Sequence, residues 1–480
     1  MTWQRNRREF LQQASAASML GLTIPRLSRK FEFSGAANEQ INLGLIGCGG
    51  RGKDLLGSFE RIKDVKLIAC CDPDESRMDQ VAQSRPDVAR FVDYRKLLEQ
   101  KEIDAVVIAS TNHWHAAQAI HSLQAGKDVY VEKPVTFNVD QGKALVAAAE
   151  KYDRIIQAGT QNRSDSGLIP AFELIQGGEL GAIKTIRGLC YRNRTGIGKR
   201  SQPLPIPPNL HYDLWLGGRQ DQPIMRPKIH YDWHWDFNTG NGDVGNQAPH
   251  EFDLIAWLLQ DKPFSGIVQS IGNRFAWDDA GDTPNMQTVW YQCGDIPVIF
   301  EVNNLWVAPD KRNSPSYRGA GVGVIVECEQ GTFIGGRGGG RIVAADDDQT
   351  VIQQFKGDSG GSHYRNFIEA VRSRDKSSLR APIAHSVASA AMPHLANISY
   401  RSGSPLGRDE LLEQVPAAVA EVVNRQESQM LAWGIDTNQV PYILGAEVNF
   451  NADGQVSGND QVVELANPKY RSEFQFPHQV

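Results

Sequence analysis

The sequence has no excess of basic charge: 50 Lys and Arg stand against 56 Asp and Glu, a formal net charge of −6. No basic run offsets that balance, which argues against a nucleic-acid-binding surface. Nor is there an uncharged apolar run of the roughly 20 residues needed to span a bilayer, so no membrane span is expected. Cysteine is sparse, six in 480 residues, and Cys48, Cys70, Cys71, Cys190, Cys293 and Cys328 show no zinc-type spacing. Three of them fall in expected buried strands or turns, so they read as small core residues, without a disulfide framework. What remains is 41% hydrophobic and 22% charged, the texture of a globular protein. A chain of 480 residues exceeds one ordinary core, so two domains plus extras are expected.

The first 38 residues read as an address. Asn6-Arg7-Arg8-Glu9-Phe10-Leu11 resembles a twin-arginine export signal, and an uncharged, mildly apolar run follows as far as Pro25. Small residues at Ser34, Gly35 and Ala36 suit cleavage. This route carries folded proteins, so the periplasm is the expected destination.

Beyond the leader, the apolar run 41–46 leads directly into Gly47-Cys48-Gly49-Gly50-Arg51-Gly52. The first glycine permits a tight turn, the second lets a pyrophosphate approach the backbone, and the third allows close helix packing. A helix starting near Gly52 would offer free N–H groups and a positive dipole end to phosphates. A second strand, 65–71, ends in Asp72, placed to meet a ribose 2′-hydroxyl and to repel a 2′-phosphate. NAD is therefore expected over NADP. Further buried strands at 105–109, 128–131 and 155–158 alternate with helical stretches near 115–123 and 139–152. That alternation predicts a doubly wound parallel sheet over residues 39–161.

Two stretches at the carboxyl edge of this sheet carry polar groups. Ser110, Thr111, Asn112 and His115 lie near the expected nicotinamide end, and Gln161 follows the last strand. Glu132-Lys133-Pro134 follows the strand 128–131; the proline ends regular structure and biases Lys133 toward an extended direction. The glycine fingerprint, Thr111-Asn112-x-x-His115 and above all Glu132-Lys133-Pro134 resemble the Gfo/Idh/MocA (glucose–fructose oxidoreductase, inositol dehydrogenase) family, over roughly residues 41–400. The resemblance implies a nicotinamide enzyme acting on a sugar or polyol, with Lys133 binding the substrate hydroxyl; Glu132 is expected to keep Lys133 oriented. It also implies an α/β second half with a large open sheet, and a homo-oligomer is expected.

After Gln161 the texture changes to Gly, Pro, Arg and aromatics, marking a boundary to a second domain at 162–402 and an extension at 403–480. Alternating strands near 184–191, 266–271, 287–291, 298–302 and 323–328 predict a mostly antiparallel sheet. The glycine-rich stretch 331–340 reads as turns, since no strand-to-helix context makes it a phosphate loop. Between His211 and Phe237 aromatics and histidines concentrate, among them Trp233 and His234, the residue types that hold sugar faces and hydroxyls. They equally suit packing between domains. Tyr191 is a further candidate for substrate contact. His113, His115, His230 and His234 lack a metal-ligand set, so no metal is expected.

His250 opens a helix expected at 251–259, and Asp253 shares its face at i, i+3. A histidine there can take a hydroxyl proton near working pH. It resembles the family's general base, with one departure: the carboxylate expected four residues earlier is Asn246, and Asp243 lies seven earlier. Either Asp243 curls back or His250 acts alone. The expectation is hydride transfer from a secondary hydroxyl of a sugar, polyol or glycoside, with Lys133 and His250 carrying it. One alternative is glycoside cleavage by transient oxidation and elimination with a recycled NAD. Another is a non-catalytic nucleotide- or sugar-binding protein.

Overall fold

The apolar runs of the first third become strands buried on both faces. The structure, a computed structural model, describes residues 40–262 and 265–480, and the expected export leader lies outside them. Six strands form one parallel sheet: β1 (Ile41–Ile46), β2 (Val65–Cys71), β3 (Ala89–Phe91), β4 (Ala105–Ile108), β5 (Asp128–Val131) and β6 (Ile156–Ala158). Leu43, Leu45, Val106, Ile108, Val129 and Val131 are no more than 1% exposed, each such burial contributing about 1.5–3 kcal/mol. The order β3-β2-β1-β4-β5-β6 reverses between β1 and β4, which opens a crevice at the carboxyl ends of those strands. Gly47, Ser110 and Glu132 follow the carboxyl ends of β1, β4 and β5.

A twelve-stranded sheet carries the second half. Its strands are β7 (Ile183–Tyr191), β8 (Gly266–Asn273), β9 (Met286–Cys293), β10 (Ile296–Asn303), β11 (Val322–Cys328), β12 (Thr332–Gly336), β13 (Gly339–Ala344) and β14 (Asp347–Lys356), with short β15 to β18 at Ser404–Leu406, Tyr442–Leu444, Val448–Phe450 and Val456–Ser457. β10 and β7 run parallel and the other pairings are antiparallel. The stretch 331–340, expected as turns, holds β12 and β13 with a tight hairpin turn between them. Glycine allows this because Gly338 and Gly339 take φ of 95° and 103°, where a side chain is strained.

The helices Pro249–Leu258 and Ile383–Arg401 cover one face of this sheet, and Phe252 stacks on Phe300 at 3.9 Å. The helix Ala417–Ala432 packs its Val419, Val423 and Met430 against the other face. Residues beyond 403 also return to the first sheet: the Tyr470 hydroxyl donates to Asp140 at 2.8 Å and Phe474 meets Trp114 edge-on. No helix among the described residues is long and apolar enough to cross a membrane.

Candidate active site

The glycine-rich loop is built for close backbone approach. A Cβ on Gly52 would sit 1.9 Å from the Gly47 carbonyl oxygen, and one on Gly47 would meet the Ala109 backbone at 2.5 Å. The first glycine therefore makes the turn and the last packs the helix Gly50–Phe59 against it. That helix has no side-chain cap, so its first N–H groups are left for a ligand, and a Cβ on Gly50 would project into open space. Asp72 stitches the floor together: one carboxylate oxygen accepts the Cys48 N–H at 2.8 Å and the other the Asp74 N–H at 2.9 Å. Burial pushes its carboxyl up to about 6, against the pull of those two amides. The Cys48 side chain turns into the core, fully buried.

A segment of the second half is fastened across this end. The Asn209 carbonyl accepts from Glu75 N–H at 3.0 Å, and His211 N–H donates to the Pro73 carbonyl at 2.9 Å. The Asn209 amide nitrogen donates to the Asp74 carboxylate at 2.5 Å, and His230 Nε2 lies 2.7 Å from it. Sequence reading grouped these histidines with the aromatic stretch; their common partner on the first sheet was not legible.

Lys133 leaves β5 into the same cavity, which measures about 650 Å³. Its Nζ donates to the Asn246 carbonyl at 2.5 Å. Glu132 was expected to orient it, and the structure corrects this. One Glu132 oxygen accepts from Arg51 Nε and Nη2 at 2.9 and 2.6 Å and from Gln161 at 3.3 Å; the other reaches only the Lys133 backbone N–H. Glu132 thus ties the glycine loop to the lysine strand, while a main-chain carbonyl holds the ammonium. Burial lowers the Lys133 ammonium below the usual lysine range, opposed by Glu132. His115 lies at the cavity wall with its ring nitrogens 2.8 and 3.0 Å from the carbonyls of Pro134 and Ser110, so it binds these two loops together.

His250 faces the cavity from the first turn of the helix Pro249–Leu258, and its Nδ1 has no hydrogen-bond partner. Burial and the charges of Lys133, Arg51 and Arg337 hold its imidazole well below the usual range, so it is neutral at neutral pH. Asp243 does not curl back to serve it. Arg194 donates to both Asp243 oxygens at 2.8 Å, Asn304 to one at 2.7 Å, and Asn246 Nδ2 to the other at 3.2 Å. Asp253 shares no work with His250 either: its oxygens go to Arg163 and Ser389.

Of the residues expected at the cofactor, Gly47, Gly49, Gly50, Arg51, Asp72, Ser110, Thr111, Asn112, His115, Glu132, Lys133 and Gln161 line this cavity. Cys48 and Gly52 do not: their parts are a backbone amide and a packing contact. Of the substrate candidates Lys133, Trp233, His234, Asn246 and His250 line it. Tyr191 does not; it points to the opposite face of the sheet, where its buried hydroxyl donates to Glu301 and accepts from Arg425. Arg192, Gln247 and Arg337, which no sequence motif marked, also line the cavity, as does Tyr231 of the aromatic stretch. No group of three or more His, Cys, Asp or Glu among the described residues could hold a metal ion.

A glycine-rich turn and polar strand ends at the point where a parallel sheet reverses its order are the arrangement that binds dinucleotides. Residues 41–160 match the GFO_IDH_MocA model, described as an oxidoreductase family with an NAD-binding Rossmann fold. The chain is 31% identical to an uncharacterized oxidoreductase, YrbE, of Bacillus subtilis over 221 residues, 46% of this chain and 59% of that protein. It is 31% identical to an alpha-N-acetylgalactosaminidase of Shewanella oneidensis over 147 residues, 29% of this chain and 30% of that one. It thus spans less than two thirds of either relative. In fold it is similar to the WlbA dehydrogenase from Bordetella pertussis, solved with NADH and UDP-GlcNAcA, with a TM-score of 0.56 at 18% identity, covering 75% of this chain and 97% of that one. Biliverdin reductase from Synechocystis, solved with biliverdin and NADP+, gives 0.54 at 16% identity, covering 74% and 98%.

Proposed function

We propose that the protein is a nicotinamide-dependent oxidoreductase that takes hydride from a secondary hydroxyl of a sugar, polyol or glycoside. The observation that carries this is the convergence of Lys133 and a neutral His250 on the cavity that also contains the glycine loop. Gly49, Gly50 and the free N–H groups of the following helix would hold the pyrophosphate, and Asp72 the adenosine ribose. Asp72 favours NAD, because a 2′-phosphate would meet a carboxylate there. When bound, the dinucleotide supplies the hydride acceptor at its nicotinamide ring. Lys133 would donate to the reacting oxygen and stabilise its developing negative charge. His250, uncharged and with one ring nitrogen unpaired, would take the hydroxyl proton. Asn246 cannot share that proton, and Asp243 is already held by Arg194 and Asn304.

A second reading is supported by the strap on Asp74. A cofactor covered at its adenosine end exchanges slowly with solution, which suits transient oxidation of a sugar, elimination of its glycosidic bond and return of the hydride. The named activity of the Shewanella relative agrees with it. Export to the periplasm, away from a cytoplasmic nucleotide pool, would favour the same arrangement.

The test is mass spectrometry of the nucleotide released from gently purified protein, then nicotinamide fluorescence as free sugars and glycosides are added. Stoichiometric NADH supports the dehydrogenase; free aglycone without net NADH supports elimination. Lys133→Ala should keep bound nucleotide yet lose about 10²–10⁴ in turnover. Near-normal turnover would remove Lys133 from the chemistry.

A further inference from the structure

The substrate end of the cavity contains cations without counter-ions. Arg337 lines it from the hairpin turn between β12 and β13, and its guanidinium has no hydrogen-bond or ion-pair partner among the described residues. The turn itself is fixed. Asp165, fully buried, accepts the Gly338 N–H at 2.9 Å through one oxygen and the N–H groups of Gly167 and Leu168 at 2.9 and 3.1 Å through the other. Gly357 N–H donates to the Gly338 carbonyl at 2.9 Å. A rigid hairpin therefore presents an unpaired arginine to the site, and its run of glycines is what lets the turn close there.

Arg192 lines the same cavity just past the end of β7. Its Nη1 donates to the Gln247 side-chain oxygen at 3.0 Å, a neutral partner, and its carbonyl is fixed by Asn304. With Lys133 this makes three cationic side chains. Each carboxylate nearby is already matched or masked. Glu132 pairs with Arg51, and Asp243 is fully buried against Arg194. Glu251, 2% exposed, has its carboxyl pushed up by burial to about 8 and so is largely uncharged at neutral pH. The position four residues before His250, where a carboxylate was expected, is neutral Asn246.

We propose that the substrate is an anionic sugar, whose carboxylate or sulfate or phosphate ester is held by Arg337 and Arg192 while its reacting hydroxyl meets Lys133. The proposal rests on the cavity being the sugar-oxidising site. Planar guanidinium groups match such oxyanions with paired hydrogen bonds, and both arginines are exposed, so their charge is open to an incoming anion. Asn246 then has a reason: a carboxylate there would stand against the incoming anion.

The test uses the full chain with its bound nucleotide and four probes: methyl glucuronide, glucose 6-sulfate, glucose 6-phosphate and neutral methyl glucoside. Dissociation constants are read from nicotinamide fluorescence in wild type, Arg337→Gln and Arg337→Lys. Wild type should bind at least one anionic probe tenfold or more tighter than the neutral glucoside, and the arms show whether that anion is a carboxylate, sulfate or phosphate. In Arg337→Gln the charged-over-neutral ratio should fall at least tenfold; Arg337→Lys should keep part of it. Equal binding of charged and neutral probes by wild type overturns the proposal and leaves the hydride-transfer reading standing. Loss of bound nucleotide in Arg337→Gln assigns the arginine to the cofactor and overturns the proposal as well. If no sugar perturbs the nicotinamide, the functional reading fails and takes this proposal with it.

Discussion

Replacing Arg163 by methionine should expose how the helix that carries His250 is anchored. Arg163 Nε donates to Asp253 at 2.7 Å, and its two terminal nitrogens donate to Asp261 at 2.8 and 2.6 Å. The arginine side chain is 4% exposed, Asp253 0% and Asp261 11%. At about 4 Å between charge centres and an effective dielectric near 20, each pair attracts by about 4 kcal/mol. Removing three ions from water costs several kcal/mol apiece, so the intact cluster nets little. Removing the arginine alone is different, because it leaves Asp253 buried and charged with only Ser389 as a side-chain donor, at 3.0 Å. That state costs about 3–5 kcal/mol, whereas Asp261 keeps His385 at 3.0 Å and suffers less. Burial already holds the Asp253 carboxyl above its usual range, opposed by Arg163, and losing Arg163 raises it further. A folded-state pKa above the unfolded one destabilises above that pKa and not below the unfolded value. Asp261 is held below its usual range mainly by Arg163, with burial working against it, so its contribution is present above the unfolded pKa and fades on acidification. The Asp253 effect makes the loss in Arg163→Met larger at pH 8 than at pH 4.5, whereas the Asp261 contribution is already in place at pH 4.5 and fades only on further acidification. Urea midpoints with matched slopes would measure it, and Arg163→Met/Asp253→Asn should recover a substantial part. A loss below about 1 kcal/mol at pH 8, or a double variant whose losses simply add, would refute the buried-charge account.

Two further outcomes follow from the nucleotide end. Asp72, held up at about 6 against about 3.9 unfolded, destabilises the nucleotide-free chain by roughly 3 kcal/mol above pH 6 and not below pH 4. Asp72→Asn removes that slope but sets an amide N–H against one of its two backbone donors, at about 1–3 kcal/mol, so the variant should differ little at pH 8 while its difference from wild type changes by about 3 kcal/mol between pH 4 and 6 in urea titrations. His230→Ala, which removes a strap contact at 2.7 Å, should speed nucleotide loss on rapid gel filtration about 10–100-fold; unchanged retention would mean the strap does not hold the cofactor.

The first sheet was legible because parallel strands buried on both faces read as unbroken apolar runs, and because Gly47 and Gly52 are each demanded by one close backbone contact. Lys133 was legible as a strand end before a proline. The second half yielded its strands but not its faces. Tyr191 and Cys190 are neighbours on β7 with opposite directions, and only knowing which face the helices cover tells which one looks toward the site. The glycine run 331–340 reads as turns in sequence because two glycine-rich strands resemble a loop when their partners are unknown. Arg337 is brought to His250 by that hairpin and by Asp165, a contact 173 residues distant in sequence. No local periodicity encodes such a meeting.

Asn246 and Asp243 together explain why this site departs from the expected lysine, aspartate and histidine arrangement. Asp243 keeps a carboxylate near the site, but although burial works to raise its pKa, Arg194 and Asn304 hold it ionised and fully paired. Arg194 in turn donates to the Tyr231 hydroxyl at 3.1 Å, so the carboxylate's charge is used to set a half-exposed aromatic at the cavity mouth. Asn246 gives its carbonyl to Lys133 and its amide to Asp243. Neither residue is left to accept a proton. On the proposed mechanism the proton taken by His250 would leave by the solvent side of the cavity, not through Asp243, and Arg192 and Arg337, which line the same cavity, would favour that departure while attracting an anion.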